Sequence, residues 1–136
     1  MYGFKTTLTE TDFDAALART TAALKEEGFG VLSEIDVQKT MKAKLDIDMP
    51  AYRILGACNP QLANQALGAE PDIGLLLPCN VIVRQEPSGA IVVGFLDPQV
   101  MVGLVDKPAV KSVADAAEQR LRRVCDNLGG SGTSAT

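Results

Sequence analysis

Two apolar runs on either side of a tight-turn sequence constrain the fold of this chain most strongly. Residues 79–86 and 90–96 are rich in Val and Ile, and Pro87-Ser88-Gly89 lies between them. β-Branched residues favour strands, and Pro and Gly favour turns, so these residues predict an antiparallel hairpin. Apolar residues fall on both faces of the hairpin. This indicates that a loop or another subunit covers the second face of the sheet.

Two longer segments have the apolar spacing of amphipathic helices. The first spans about 12–27 and ends before Gly28, and the second begins at Pro108 and continues to about 128. Gly just after a helix and Pro at its first turn are typical boundary residues. These segments predict two long helices that pack on the sheet.

The remaining segments predict three further strands, at about 2–9, 30–35 and 51–58, and short helices between them. One short helix follows Asp36, with Val37, Met41 and Leu45 as its expected inner face. The predicted fold class is α+β: an antiparallel sheet of about five strands in the order β-α-β-β-β-β-α, with short inserted helices, packed by two long helices. We expect a single domain over residues 1–128 and a disordered tail over 129–136, which is rich in Gly, Ser and Thr.

The composition excludes several classes of function. The 136 residues include no His, so this chain alone supplies no Ser-His-Asp triad, no Cys-His dyad and no mixed Cys/His zinc site. Its net charge is −4 and its pI is about 4.8, which disfavours nucleic acids and anionic membranes as partners. Three cysteines without a disulfide spacing, and a first segment without a targeting pattern, predict a cytoplasmic protein.

The most distinctive chemical feature is a pair of Cys-Asn steps. Cys58-Asn59 ends the third predicted strand, and Cys79-Asn80 begins the fourth. If these strands are antiparallel neighbours, both steps lie at the same end of the sheet, where thiols are close enough to share a ligand. The candidate ligand-binding residues at this end are Cys58, Asn59, Cys79, Asn80, Asp97 and Met101.

Two thiolates and a thioether suit a soft ion such as Cu(I), with Cys58 and Cys79 as the candidate metal ligands. Tetrahedral zinc would need further ligands, of which Asp97 is the nearest candidate. A plain structural explanation stands beside this one. Free cysteines are often buried as small apolar residues. Asn59 fits the N-cap of a short helix that begins at Pro60, and Asn80 fits a turn. Cys125 falls on the apolar stripe of the last helix and is expected in the core.

Four segments of the chain resemble a known family. The sequences are GFGVLSEIDV at 28–37, YRILGACNP at 52–60, EPDIGLLLPCNV at 70–81, and Asp97-Pro98 followed by Met101. They resemble blocks of the domain-of-unknown-function 302 family over about residues 1–128. The resemblance implies a TATA-binding-protein-like α+β fold and a tendency to form homodimers, but no reaction, catalytic residue or cofactor.

The leading hypothesis is a cytoplasmic homodimer that binds an unidentified small molecule or soft metal ion near Cys58 and Cys79. One alternative is an enzyme that uses Cys79 or Asp97 as the reactive group. Another is a protein-interaction module that acts through its sheet face. The sequence identifies no reaction and no cofactor.

Overall fold

In the computed structural model, residues 2–129 and 133–134 are described. The strands are β1 (Gly3–Leu8), β2 (Gly30–Asp36), β3 (Tyr52–Cys58), β4 (Cys79–Gln85), β5 (Ile91–Leu96) and β6 (Thr133–Ser134). The helices are α1 (Phe13–Glu26), α2 (Val37–Leu45), α3 (Pro60–Ala69), α4 (Gln99–Leu104) and α5 (Pro108–Gly129), and a 3₁₀ helix spans Pro71–Leu76. The α+β class and the antiparallel sheet predicted from the sequence are confirmed.

The strands form one antiparallel sheet in the order β2-β3-β4-β5-β1-β6. The predicted hairpin joins β4 to β5, with Val83 opposite Val93. Strand β1 pairs with β5 on the far side of the hairpin, and β3 pairs with β4 on the near side. The hairpin is therefore the centre of the sheet, which explains why its residues are the most apolar.

Helices α1 and α5 pack on one face of the sheet, which we call the inner face. This face carries Phe4, Leu55, Val81, Val83, Val93 and Phe95, all of them buried. Helix α5 adds Leu121, Val124 and Leu128 to the same core, and α1 adds Leu24. The predicted core position of Cys125 is confirmed, because 1% of its surface is exposed.

Helix α2 departs from the expectation. It begins after Asp36, whose carboxylate accepts a hydrogen bond from the Lys39 N–H at 2.9 Å. The predicted inner face is confirmed in part: Val37 and Met41 are half-buried, whereas Leu45 is 62% exposed and no residue of α2 is fully buried. The two long helices already occupy the inner face of the sheet, and α2 contacts mainly β3.

Two segments without a predicted helix contain one. Residues Pro71–Leu76 form the 3₁₀ helix, and Gln99–Leu104 form α4, which buries Met101. At the C-terminus, α5 extends to Gly129, and Thr133–Ser134 pair with β1. The rest of the tail predicted to be disordered lies outside the described residues.

The opposite face of the sheet, the outer face, carries Tyr52, Ile82, Arg84, Val92 and Leu96. These side chains line an open groove of about 480 Å³ that crosses β3, β4, β5 and β1, which we call the outer groove. Within residues 2–129 and 133–134, no helix is both long and apolar enough to cross a membrane.

The junction between α1 and β2 generates a stability prediction. Gly28 has a φ of +84°, and a Cβ added there would lie 2.9 Å from the Asn59 Nδ2. Gly89, in the hairpin turn, has a φ of +94° but open space around it. An alanine at Gly89 therefore meets backbone strain alone, at about 1 kcal/mol, whereas an alanine at Gly28 also displaces Asn59.

We expect Gly28→Ala to lower the free energy of unfolding by at least about twice as much as Gly89→Ala. Urea denaturation of both variants measures this difference. Equal losses would show that Gly28 and Asn59 are not in close contact.

Candidate functional site

The pairing of β3 with β4 brings the two Cys-Asn steps to one end of the sheet. The strands are antiparallel neighbours, and Ala57 lies directly opposite Cys79. Cys58 is the next residue and the last of β3, where the chain turns into α3. The two cysteines therefore lie at the same end of the sheet, as the hypothesis required. They are not directly opposite each other, because Cys79 pairs with Ala57, and successive residues of a strand point to opposite faces.

A cavity of about 270 Å³ opens at this end of the sheet, between the sheet and the helices α3, α4 and α5. Three sulfur-bearing residues are among its lining residues: Cys58, Cys79 and Met101. Most of the remaining lining is apolar and includes Phe29, Leu32, Leu62, Leu67, Leu77 and Val113. We call this space the sulfur-lined cavity. The buried apolar residues form two clusters, one between the sheet and the long helices and one around α3, α4 and the start of α5. The cavity lies between them, because Cys79 belongs to the first cluster and Met101 to the second.

Strand β2 contributes Leu32 to the mouth of the cavity through a β-bulge. The register between β2 and β3 shifts between Val31 and Ser33, so Leu32 has no partner on β3. A β-bulge of this kind re-aims a side chain relative to simple alternation. Leu32 lines the cavity and is 71% exposed, which leaves an apolar rim in contact with solvent.

Asn59 is the one lining residue whose side chain carries nitrogen or oxygen. It is the N-cap of α3, as predicted, and its Oδ1 accepts a hydrogen bond from the Leu62 N–H at 3.2 Å. Pro60 follows at the first helical position, where its missing N–H costs nothing. The cap therefore fixes the Asn59 side chain in the wall of the cavity.

Burial decides the protonation of Cys79. Only 7% of its surface is exposed, and desolvation raises the pKa of its thiol from 9.0 to about 11. The charge of a Cys58 thiolate is the smaller of the two causes of this raised pKa. At neutral pH, Cys79 is a neutral thiol. Cys58 is half-buried.

Asn80 does not belong to the cavity. It is directly opposite Gly56, is exposed, and lines the outer groove. Successive residues of a strand point to opposite faces, so Asn80 and Cys79 are separated by the sheet itself. The prediction that both residues of this Cys-Asn step line one pocket is wrong.

Asp97 lies at the same end of the sheet, but its carboxylate interacts with groups outside the cavity. Its Oδ1 accepts the Gln99 N–H at 2.9 Å at the start of α4, and its Oδ2 lies 3.8 Å from the Arg122 Nη2. The cavity lining does not include it. Asp97 is therefore a structural link between α4 and α5, and the prediction that it is a ligand next to the cysteines is wrong.

Sequence reasoning missed most of the apolar lining. Leu62 lies on α3 and Val113 on α5, whereas Phe29 precedes β2 and Leu77 follows the 3₁₀ helix, so only tertiary packing brings these residues together. The one available signal was the location of the family-like segments. All four contribute to the lining, through Phe29 and Leu32, Ala57 to Asn59, Gly74 with Leu77 to Cys79, and Met101.

Comparison with known proteins supports the resemblance. A family model described as "Domain of unknown function DUF302" matches residues 4–128. The chain belongs to the DUF302 family. The solved structure of an uncharacterized conserved DUF302 protein from Bacillus stearothermophilus is similar to this DUF302 chain, with 32% sequence identity and a TM-score of 0.84. The match covers 94% of this chain and 98% of that one. No curated protein sequence matches this chain significantly.

The raised pKa of Cys79 generates a pH prediction. An unfolded thiol ionises near pH 9, whereas the folded thiol ionises near pH 11. Between these values the unfolded chain releases a proton that the folded chain retains, so the stability due to this thiol is present below pH 9 and lost as pH rises towards 11.

We expect the stability difference between wild type and Cys79→Ala to change by about 1 kcal/mol between about pH 8 and pH 10, in the direction that weakens wild type. Urea denaturation at both pH values measures it. Subtracting the free energy of unfolding of the variant from that of wild type removes the contributions of Lys, Tyr and Cys125, because these groups titrate in both proteins. A difference that is independent of pH would contradict the account of Cys79.

Proposed function

We propose that this DUF302 domain binds a small, mainly apolar molecule in the sulfur-lined cavity. The volume of about 270 Å³ supports this, because an apolar cavity of about 150 Å³ is enough to hold benzene. By proportion, the space suits a molecule of roughly ten heavy atoms. The lining offers one amide and three sulfurs among apolar side chains, so shape and apolar burial would supply most of the affinity.

The observation that carries the proposal is the convergence of the four family-like segments on one cavity. They lie far apart in the sequence, at 28–37, 52–60, 70–81 and 97–101, and include two strand ends, a bulge and a six-residue helix. Empty space at this point would destabilise the fold, because the atoms around it would lose van der Waals contacts. Space lined by all four family-like segments therefore favours a bound ligand.

The enzyme alternatives are less well supported. A thiol nucleophile reacts as the thiolate, and burial holds the pKa of Cys79 at about 11. Asp97, the carboxylate candidate, is engaged by the Gln99 N–H and Arg122 outside the cavity. We therefore propose a binding module.

We further propose that the domain acts as a homodimer in the cytoplasm, with the outer groove as the contact between two copies. Both long helices pack on the inner face, while the outer face carries Tyr52, Ile82, Val92 and Leu96 along the groove. Two copies related by a two-fold axis could cover the apolar side chains of each other's outer groove. The cysteines are free thiols, a state that a reducing compartment maintains.

A cavity-filling substitution tests ligand binding. Ala63, on α3, lines the cavity, and Ala63→Leu adds about three carbon atoms to it. Indole is a suitable probe, because it has nine heavy atoms and the chain contains no Trp whose emission would overlap. We expect wild type to shift the indole emission to shorter wavelength, and Ala63→Leu to weaken binding by about tenfold or more.

Ala22→Leu is the matched control, because Ala22 is an exposed helical position on α1. It should bind indole as wild type does. Indole binding that is equal in all three proteins would place the probe elsewhere, and no binding to wild type would remove the proposal.

Sedimentation tests the homodimer. Ile82 lines the outer groove, so Ile82→Glu introduces a charge that repels its symmetry mate. We expect a wild-type dimer, and a variant that sediments as a monomer at the same concentration. Leu104→Glu, at a position that is 66% exposed on α4, is the control and should remain dimeric. A monomeric wild type at high concentration would rule out the dimer.

A further inference from the structure

The side chain of Asn59 lies on the cavity side of the sheet. Its backbone is extended, with φ −98° and ψ 111°, so the alternation of β3 continues through it. Asn59 therefore shares the inner face with Ala57, two positions before it, and both residues line the sulfur-lined cavity. Only 8% of the Asn59 surface is exposed, so its side chain is enclosed by the packing around the cavity.

The helix cap determines which end of the Asn59 amide is occupied. The Leu62 N–H is a donor, so the atom that accepts it at 3.2 Å is the carbonyl oxygen Oδ1. The nitrogen Nδ2 at the other end of the amide carries two N–H donors. Within residues 2–129 and 133–134, no group accepts a hydrogen bond from Nδ2.

The nearest polar group to Nδ2 is a donor as well. Nδ2 lies 2.9 Å from the position that a Cβ on Gly28 would take, and the Arg120 Nη1 lies 3.3 Å from the same position. The Arg120 guanidinium donates to the Glu27 carbonyl at 3.1 Å and has no lone pair with which to accept. Its positive charge favours a group with negative charge, such as a carbonyl oxygen, beside the amide.

The two N–H groups of Nδ2 are accessible from the cavity. Among the described residues, no side-chain nitrogen or oxygen is sealed from accessible space without a hydrogen-bond partner. Since Nδ2 has no partner there, it reaches accessible space, and the space that Asn59 lines is the cavity. A ligand that displaced water from this amide without accepting a hydrogen bond would leave a buried donor unpaired, which lowers affinity.

We propose that Asn59 is the polar anchor of the ligand, and that its Nδ2 donates a hydrogen bond to a carbonyl oxygen on an otherwise apolar molecule. This inference rests on the proposed function, namely that the cavity binds such a molecule, and it names the chemical class of the ligand. The apolar lining would hold the body of the molecule. The amide would select for the oxygen, because the sulfur groups of the other lining residues are weak hydrogen-bonding groups.

Two ligands that differ in one carbonyl oxygen test the anchor. Indan-1-one and indane share one apolar skeleton, and both have roughly the size that the cavity admits. Asn59→Asp keeps the helix cap and the shape of the side chain but replaces both N–H donors with a carboxylate oxygen. We expect the affinity for indan-1-one relative to that for indane to fall by about tenfold or more in this variant. Equilibrium dialysis at neutral pH measures both dissociation constants.

A second substitution repeats the comparison without a new charge. Ser is also a good N-cap, so Asn59→Ser keeps α3 capped while its shorter side chain removes the amide. We expect the relative affinity for indan-1-one to fall by about threefold or more. Any effect of either substitution on the shape of the cavity acts on both ligands and cancels in the ratio. Circular dichroism verifies that each variant is folded.

Asn80→Asp is the matched control, because it makes the same change at an exposed position on the outer face, outside the cavity lining. It should keep the wild-type ratio of the two affinities. Equal weakening of both ligands in the two Asn59 variants would overturn the anchor, since a residue that only supports the wall affects both alike. An unchanged affinity for indan-1-one in both variants would overturn it as well.

Failure of the anchor and failure of the proposed function are distinguishable. If wild type binds indole and indane, and the Asn59 variants keep the wild-type ratio of affinities, the anchor alone is overturned. If wild type binds none of the three molecules, the proposed function is removed, and the anchor with it.

Discussion

The register between β3 and β4 is the constraint on which the candidate site depends. Ala57 opposite Cys79 brings the end of one strand beside the start of the next, and thereby places both Cys58 and Cys79 at the end of the sheet where the cavity opens. The register is held by the burial of Leu55, Val81 and Val83 on the inner face, because a slip of one residue would turn all of these side chains towards solvent. The packing of the core therefore determines the geometry of the site.

The same register separates two surfaces with different properties. Cys79 belongs to the inner face, where α5 and α4 close the space around it, while Asn80 belongs to the outer face and its groove. The alternation of side chains along β4 is therefore the boundary between the proposed ligand cavity and the proposed dimer contact. A change in one surface can be made without a direct change in the other, and this separation is what makes the two proposals independently testable.

Much of the fold follows from the sequence, because hydrophobic periodicity and turn residues act locally. The hairpin at 79–96, the stripe of α5 and the Asn59 cap were all predictable from neighbouring residues. The cavity was not, because its lining comes from strands, helices and a bulge whose relative positions are fixed by tertiary packing. Leu32 illustrates the difficulty, since only the register shift between Val31 and Ser33 brings it to the cavity. Asn80 and Asp97 were misplaced because proximity in sequence or at one sheet end does not determine the direction of a side chain or its competing partners.

The central claim is that the sulfur-lined cavity admits a ligand, and the methyl group of Met101 reports on it directly. The chain has four methionines, of which Met101 lines the cavity, whereas Met41 and Met49 lie in and after α2. In protein labelled with ¹³C at the methionine methyl groups, titration with indole should shift the Met101 signal and leave those of Met41 and Met49 in place. An unchanged Met101 signal at indole concentrations that saturate the fluorescence change would contradict the account.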